Sequence, residues 1–90
     1  MDRQQVARDW RARGFSCDVW TDPPGQVWAD FVHATDELVM LIDGEIELHF
    51  SGQVIRPRVA EEVLIPAGAS HTVINIGKVR NHWFYGYKTN

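Results

Sequence analysis

The sequence predicts an all-β domain, a β-sandwich or β-barrel, that carries one short helix at its N-terminus. Roughly eight short segments alternate apolar and polar residues with the period of two that is typical of half-buried strands. Turns containing glycine or proline separate these segments at short intervals, whereas a parallel α/β fold would place helices between its strands. The 90 residues suffice for one domain with a single core.

The N-terminal helix is predicted for residues 2–13. Asp2 is a suitable N-cap, and Gly14 is a suitable residue for the end of the helix. Val6 and Trp10 stand four residues apart and form a narrow apolar stripe. We therefore expect the helix to pack against the outside of the β-domain.

The β-domain is expected to span residues 15–90, after a helical arm of residues 1–14. Its strand-like segments cover residues 15–20, 26–33, 37–42, 45–50, 54–58, 62–65, 71–76 and 81–88. Asp43-Gly44 predicts a hairpin between the third and fourth segments. Residues 22–25, Asp-Pro-Pro-Gly, are interpreted as a turn without a further role.

The alternation also assigns side chains to faces of the strands. On the second segment it places together Val27, Ala29, Phe31 and His33. On the third segment it separates Glu37, Val39 and Leu41 from Leu38, Met40 and Ile42. On the last segment it groups Trp83, Tyr85 and Tyr87. We expect the second sheet or another subunit to cover the apolar face that begins with Leu38.

Composition excludes several classes of partner. Formal charge is −3 with acidic and basic residues intermixed, so the chain lacks the basic face that nucleic acid requires. The first residues are polar, and no apolar run approaches the roughly 20 residues of a membrane helix. A single cysteine, Cys17, fits a reducing compartment. We expect a cytoplasmic protein without nucleic-acid or membrane partners.

Three side chains are candidate metal ligands: His33, Glu37 and His71. Two imidazoles and one carboxylate form a recognised ligand set for Zn²⁺ and for non-haem Fe(II). Taken in pairs these residues are a weak signal, because a single histidine in a β protein is more often a hydrogen-bonded core or surface residue. Whether the three side chains meet depends on the fold.

The spacing of these residues resembles the two motifs of the cupin superfamily. The first cupin motif ends in His, Glu and Gly, and here Glu37 follows His33 after three residues and Gly44 follows Glu37 after six. The second motif contains Pro-x-Gly, a histidine and an asparagine, which are matched by Pro66, Gly68, His71 and Asn75. The chain therefore looks like a small single-domain cupin, a monocupin of the metal-binding type.

The sequence departs from the cupin pattern at two positions. Phe31 stands where the family usually has its first histidine, so a site with three histidines is unavailable. Ala60 replaces the glycine that opens the second motif. A site made by His33, Glu37 and His71 still supplies three ligands and leaves coordination positions open, although a cupin that binds no metal is the alternative.

The resemblance implies a double-stranded β-helix, or jelly-roll barrel, with a divalent ion (Zn, Fe, Mn or Ni) inside it. Its apolar pocket wall is expected to consist of Phe31, Val39, Leu41 and Val73. The ligand is expected to be a small oxygenated molecule, and the net charge near +1 of such a site favours an anionic one. Two function classes stay open: an enzyme of the dioxygenase or isomerase type, and a non-catalytic binding module. Small cupins usually form homodimers, so we also expect a homodimer.

Overall fold

A computed structural model describes residues 1–89 of the chain and contains one helix and eight strands within them. Helix α1 spans Arg3–Ala12. The strands are β1 (Asp18–Asp22), β2 (Val27–Phe31), β3 (Glu37–Asp43), β4 (Glu47–Phe50), β5 (Gln53–Ile55), β6 (Glu62–Ile65), β7 (His71–Ile74) and β8 (Asn81–Tyr87). The predicted all-β class with a short N-terminal helix is thus confirmed.

The strands form two antiparallel four-stranded sheets. Sheet I has the order β1-β8-β3-β6, and sheet II has the order β2-β7-β4-β5. The chain passes repeatedly from one sheet to the other, which is the jelly-roll arrangement. The predicted hairpin at Asp43-Gly44 is wrong, because β3 and β4 belong to different sheets and the dipeptide carries the chain between them.

The main core lies between the two sheets. Its buried members are Val39, Leu41, Ile46, Leu48, Phe50, Ile65, Val73 and Trp83. They come from both sheets at alternate strand positions, as a packed sandwich requires. Burying each of these large side chains contributes about 1.5–3 kcal/mol to folding.

A second core lies under α1, on the outer face of sheet I. Trp10 is fully buried there and its ring meets that of Phe84 edge to face, with centroids 5.9 Å apart. Leu38 is buried in the same cluster, and Met40 and Ile42 pack against it. The expectation that the second sheet or another subunit covers this face is wrong, because the amphipathic helix does so. A homodimer therefore stays a prediction from the family resemblance.

Gly86 of β8 allows the N-terminal segment to lie this close to the sheet. A Cβ atom at this position would overlap the Ser16 carbonyl oxygen and would lie 2.9 Å from the Trp10 ring. The N-terminus of α1 is capped by Asp2, whose carboxylate accepts hydrogen bonds from two main-chain N–H groups. Within residues 1–89, no helix has the length and apolar character needed to cross a membrane.

A β-bulge in β2 changes which side chains face the interior. The pairing with β7 shifts register between Trp28 and Phe31, and Asp30 has a positive φ of 60°. As a result Trp28 and Phe31 face the same cavity, although they are three residues apart. The predicted common face was therefore wrong in part, since Val27 and Ala29 are exposed.

Candidate metal centre

The three predicted ligands meet at one end of the sandwich. One potential ligand atom from each of His33, Glu37 and His71 lies within 4.8 Å of those of the other two. Glu37 Oε1 is 3.3 Å from His71 Nε2 and 3.7 Å from His33 Nε2. The two imidazole rings have centroids 5.0 Å apart. The fold thus brings side chains from two distant parts of the sequence to one carboxylate oxygen.

Two loops that are hydrogen-bonded to each other create this proximity. The Gly68 N–H donates to the His33 carbonyl at 2.9 Å, and the Ala67 N–H donates to the Asp36 carboxylate at 2.8 Å. Gly68 has a φ of +79°, a conformation that glycine adopts without steric cost. The Pro66–Gly68 turn is thereby fixed beside the loop that carries His33, and His71 follows it at the start of β7.

Glu37 is a buried carboxylate with an unsatisfied oxygen. It is the first residue of β3 and only 4% of its surface is exposed. Its Oε1 atom has no hydrogen-bond partner among the described residues. Burial raises the pKa of Glu37 to about 7. A buried polar atom of this kind calls for a partner, and a cation between the carboxylate and the imidazoles would be one.

His71 is oriented to offer a nitrogen lone pair to the same point. Its Nδ1 lies 3.3 Å from the Ala69 carbonyl oxygen, so we assign the Nδ1–H tautomer. Nε2 is then unprotonated and faces Glu37. Burial lowers the pKa of His71, which favours the neutral imidazole that binds metals. His33 is half-buried, and its Nε2 lies 3.4 Å from the Tyr87 hydroxyl.

This donor set fits a divalent metal ion. Two imidazole nitrogens and a carboxylate oxygen are ligands that Zn²⁺ and Fe(II) accept, and three protein ligands leave coordination positions open. The unsatisfied Glu37 oxygen and the contact of His71 Nδ1 with a carbonyl oxygen are both consistent with a metal site. Ligand identity alone does not choose among Zn, Fe, Mn and Ni.

A cavity of about 270 Å³ opens in front of these residues. Six aromatic rings follow one another around it in a closed order, with neighbouring centroids 4.7–6.3 Å apart. We call this ring the aromatic belt; its members are Trp20, Trp28, Phe31, His33, Tyr87 and Tyr85. Glu37, His71, Val73 and Trp83 complete the lining of the cavity.

Two of the four predicted wall residues line the cavity, and the other two do not. Phe31 and Val73 line the cavity. Val39 and Leu41 do not; they are buried in the main core, which corrects the expected wall. Alternation identified their face of β3, but only Glu37, at the start of that strand, is level with the cavity. Farther along β3 the two sheets are filled by side chains.

Two other histidines lie outside the site, and several aromatic residues belong to it. His49 pairs with Glu47, and His82 pairs with Asp43 at 2.7 Å.

The alternation in β8 had grouped Trp83, Tyr85 and Tyr87, and all three line the cavity. Sequence reasoning gave Trp20 no site role and took packing as the more frequent role of Trp28, because the bulge in β2 and the contact between sheet edges are tertiary features.

Asp22 has a role that the sequence analysis missed. Only 2% of its surface is exposed, and its carboxylate accepts hydrogen bonds from the indole N–H groups of Trp20, Trp28 and Trp83. Its interpretation as a simple turn residue is therefore wrong. Trp20 is a local partner two positions away on the same strand, but the convergence of Trp28 and Trp83, which are 6 and 61 positions away, on Asp22 is a tertiary feature that local sequence does not signal.

The fold and the site together define a jelly-roll protein with a candidate two-histidine, one-glutamate centre. The family model described as "Cupin domain" matches residues 18–85. Because this match covers most of the chain, the protein belongs to the cupin family. No curated protein matches the sequence.

Solved structures support the same fold. The cupin domain of Cnp3 from Schizosaccharomyces pombe is 20% identical with a TM-score of 0.77, covering 86% of this chain and 57% of that one. This chain thus spans less than two thirds of that relative. A predicted oxalate decarboxylase from Thermotoga maritima is 15% identical with a TM-score of 0.76, covering 100% of this chain and 76% of that one. A salicylate 1,2-dioxygenase from Pseudaminobacter salicylatoxidans is 16% identical with a TM-score of 0.76, covering 83% of this chain and 22% of that one.

Proposed function

We propose that this cupin binds one divalent metal ion through His33, Glu37 and His71 and presents it to a small oxygenated ligand in the aromatic cavity. The observation that carries the proposal is the buried Oε1 of Glu37, which lacks a hydrogen-bond partner and lies within 3.7 Å of both imidazole Nε2 atoms. A carboxylate in this position costs free energy unless a cation offsets its desolvation.

The charge of such a site favours an anionic ligand. A divalent ion with one carboxylate leaves a net charge of about +1, which attracts a carboxylate or enolate oxygen. When bound, the ion would polarise that oxygen as a Lewis acid, or, in the case of Fe(II), support oxidation chemistry. The walls of the cavity are largely aromatic and therefore offer a ligand mostly apolar surface beside the candidate centre.

Tyr87 is the side chain best placed to assist a bound ligand. Its hydroxyl lies 3.4 Å from His33 Nε2 at the edge of the candidate centre. Burial raises the pKa of Tyr87 to about 12, so the hydroxyl keeps its proton at neutral pH. It is therefore available as a hydrogen-bond donor to an oxygen of the ligand.

We assign the reaction class to the dioxygenase or isomerase type. The open coordination positions and the partly enclosed cavity support this class, because both reactions need the substrate oxygen beside the metal and away from water. A non-catalytic ligand-binding module is the second candidate. One observation favours it: apart from the three candidate ligands, the only ionisable side chains among the lining residues are Tyr85 and Tyr87, and neither is a suitable base.

Elemental analysis of purified protein tests the metal proposal. Native protein loaded with Zn²⁺, Fe²⁺, Mn²⁺ or Ni²⁺ and then desalted is expected to retain about one ion per chain, whereas His71→Ala retains none. His49→Ala is the matched control, because that histidine lies outside the site and should leave retention unchanged. The proposal would be contradicted if His71→Ala retained as much metal as the native protein, or if the native protein retained none.

Oxygen uptake separates the two function classes. If the iron-loaded protein consumes dioxygen when a small aromatic or enolic carboxylate is added, the protein is a dioxygenase. Tight binding of the same compounds to the zinc-loaded protein, without any conversion detected by mass spectrometry, would favour the binding module.

A further inference from the structure

We infer that Asp22 is a positioning residue that fixes the tryptophan walls of the cavity and thereby selects ligands with an apolar planar ring. Its Oδ1 atom accepts hydrogen bonds from Trp28 Nε1 at 2.8 Å and from Trp20 Nε1 at 3.0 Å. Its Oδ2 atom accepts one from Trp83 Nε1 at 3.2 Å. One buried carboxylate thus holds three of the four tryptophans of the chain.

Asp22 is itself held rigidly by the main chain and by two buried asparagines. The Asp22 N–H donates to Asn81 Oδ1 at 3.1 Å, and the Asp22 carbonyl accepts from Asn75 Nδ2 at 3.1 Å. Asn75 and Asn81 are almost fully buried. A carboxylate fixed in this way can determine where its hydrogen-bond donors lie, because a fully satisfied buried network rigidifies its surroundings.

The three indoles come from both sheets. Trp20 lies on β1 and Trp83 on β8 in sheet I, whereas Trp28 lies on β2 in sheet II. The Trp20 and Trp28 rings meet edge to face with centroids 6.0 Å apart. Asp22 therefore joins the two sheets behind the cavity wall and sets the distance between the rings.

This arrangement has a consequence for ligand class. Because all three indole N–H groups donate to Asp22, the tryptophans offer the cavity ring surface without a free donor. Such walls favour an apolar planar body that contacts aromatic rings. The volume of about 270 Å³ suits a small molecule. The ligand would thus carry a single ring at one end and an anionic oxygen at the other. Only the anionic oxygen rests on the proposed function; the ring follows from the cavity walls.

Indole N–H signals in NMR spectra test the positioning role directly. In Asp22→Asn one oxygen becomes an NH₂ group, so the indole signals of Trp20, Trp28 and Trp83 are expected to shift and exchange faster with solvent. Trp10 is an internal control, because its indole lies in the core under α1 and should keep its signal. Unchanged signals from all four indoles in the folded variant would overturn the inference.

A second variant covers the case in which Asp22→Asn does not fold. Trp83→Phe keeps an aromatic wall but removes the hydrogen bond that the described part of the chain donates to Oδ2. The Trp20 and Trp28 signals are then expected to shift, because both donate to the other oxygen of the same carboxylate. If they stay in place, Asp22 does not couple the three indoles.

Binding of simple probes tests the ligand class and separates this inference from the metal proposal. Metal-free native protein is expected to bind toluene about tenfold more tightly than Asp22→Asn does, whereas His49→Ala, which lies outside the cavity, should match the native protein. Equal toluene affinity in native and Asp22→Asn would overturn the inference and leave the metal proposal intact. Zinc-loaded native protein should bind benzoate at least about tenfold more tightly than acetate, and equal affinities would overturn the ligand class.

The response of benzoate to zinc reports on the proposed function alone. Zn²⁺ is expected to tighten benzoate binding to the native protein but not to His71→Ala. If zinc has no effect on the native protein while toluene binding still depends on Asp22, the metal proposal fails and the role of Asp22 stands.

Discussion

The two carboxylate side chains that are buried within residues 1–89 have opposite surroundings. Asp22 and Glu37 are 2% and 4% exposed, so both have lost nearly all contact with water. Asp22 receives three indole N–H groups that replace its hydration. Glu37 has an oxygen without any hydrogen bond among the described residues, and burial raises its pKa to about 7.

The difference distinguishes a structural carboxylate from a candidate metal ligand. Where the chain supplies all the donors, the charge is stabilised within the fold and stays in the wall of the cavity. Where it does not, the fold bears a cost that a bound cation would remove. Two predictions test this comparison at the carboxylates themselves, a third tests the candidate centre around Glu37, and a fourth tests backbone strain at Ala60; they run from the largest expected effect to the smallest.

Replacing Asp22 is expected to destabilise the fold most. Asp22→Ala leaves one buried and two partly buried indole N–H groups without their acceptor, which should lower the free energy of unfolding by roughly 4 kcal/mol. Urea denaturation measures this loss. Asp43→Ala is the control, since its exposed pair with His82 should contribute less than about 1 kcal/mol. Equal effects of the two substitutions would contradict a structural role for Asp22.

Glu37 should make the metal-free protein less stable as pH rises. Its pKa is raised from 4.5 to about 7 in the folded state, so between these values the folded chain binds more protons than the unfolded chain. The free energy of unfolding should therefore fall by about 3 kcal/mol as pH increases from 4.5 to 7. Urea denaturation in the presence of a chelator, at a series of pH values, measures the slope.

Glu37→Gln is the control for this pH dependence. In this variant the free energy of unfolding should no longer fall between pH 4.5 and 7. The contribution of His71 to the pH dependence of stability then becomes visible. The pKa of His71 is lowered by burial, so its contribution has the opposite sign: stability is lost as pH falls below 6.5, where only the unfolded imidazole gains a proton readily. A decline of the same size in native protein and Glu37→Gln would show that another group causes it.

Phe31→His is expected to strengthen metal binding. Phe31 is paired with His71 across β2 and β7, and its ring centroid lies 6.3 Å from those of both histidines. An imidazole at this position would add a fourth ligand and should tighten Zn²⁺ binding by at least about tenfold. Competition with a chromophoric chelator measures the affinity.

Val32→His is the matched control for that substitution. Val32 is the next residue along the chain but is 60% exposed, so an imidazole there should not reach the centre. If both variants tighten binding equally, or neither does, position 31 does not face the metal.

Ala60→Gly should have the smallest effect, a stabilisation below about 1 kcal/mol. Ala60 has a φ of 69°, a left-handed conformation that costs a non-glycine residue about 1–2 kcal/mol. Glycine removes this strain but adds entropy to the unfolded chain, which offsets part of the gain. Thermal unfolding should show a slightly raised midpoint, and a lowered midpoint would contradict strain at this residue.

Much of the fold could be predicted from local patterns. Alternation located all eight strands, because side chains of a strand point to opposite sides at every second residue. The helix was predicted from the Asp2 cap and the stripe of Val6 and Trp10. The same patterns misassigned the hairpin at Asp43-Gly44, since a turn signal does not say which sheet the next strand joins.

The candidate centre could be anticipated only in part. Motif spacing selected His33, Glu37 and His71, and the fold brings them within reach of one another. Alternation could not tell that Val39 and Leu41 lie below the cavity, because it defines a face and not a depth. Nor could it reveal the bulge that turns Trp28 into the cavity beside Phe31.

The sequence by itself thus determined the strands, the helix and the identity of three potential ligands, all of which depend on spacing along the chain. Only the tertiary structure decided that Asp22 is satisfied and Glu37 is not. That outcome depends on donors from other strands: the indoles of Trp28 on β2 and Trp83 on β8 join that of Trp20 at Asp22, and none of the described residues donates a hydrogen bond to Oε1 of Glu37. The stability of a buried carboxylate is set by such neighbours in space, which local sequence does not specify.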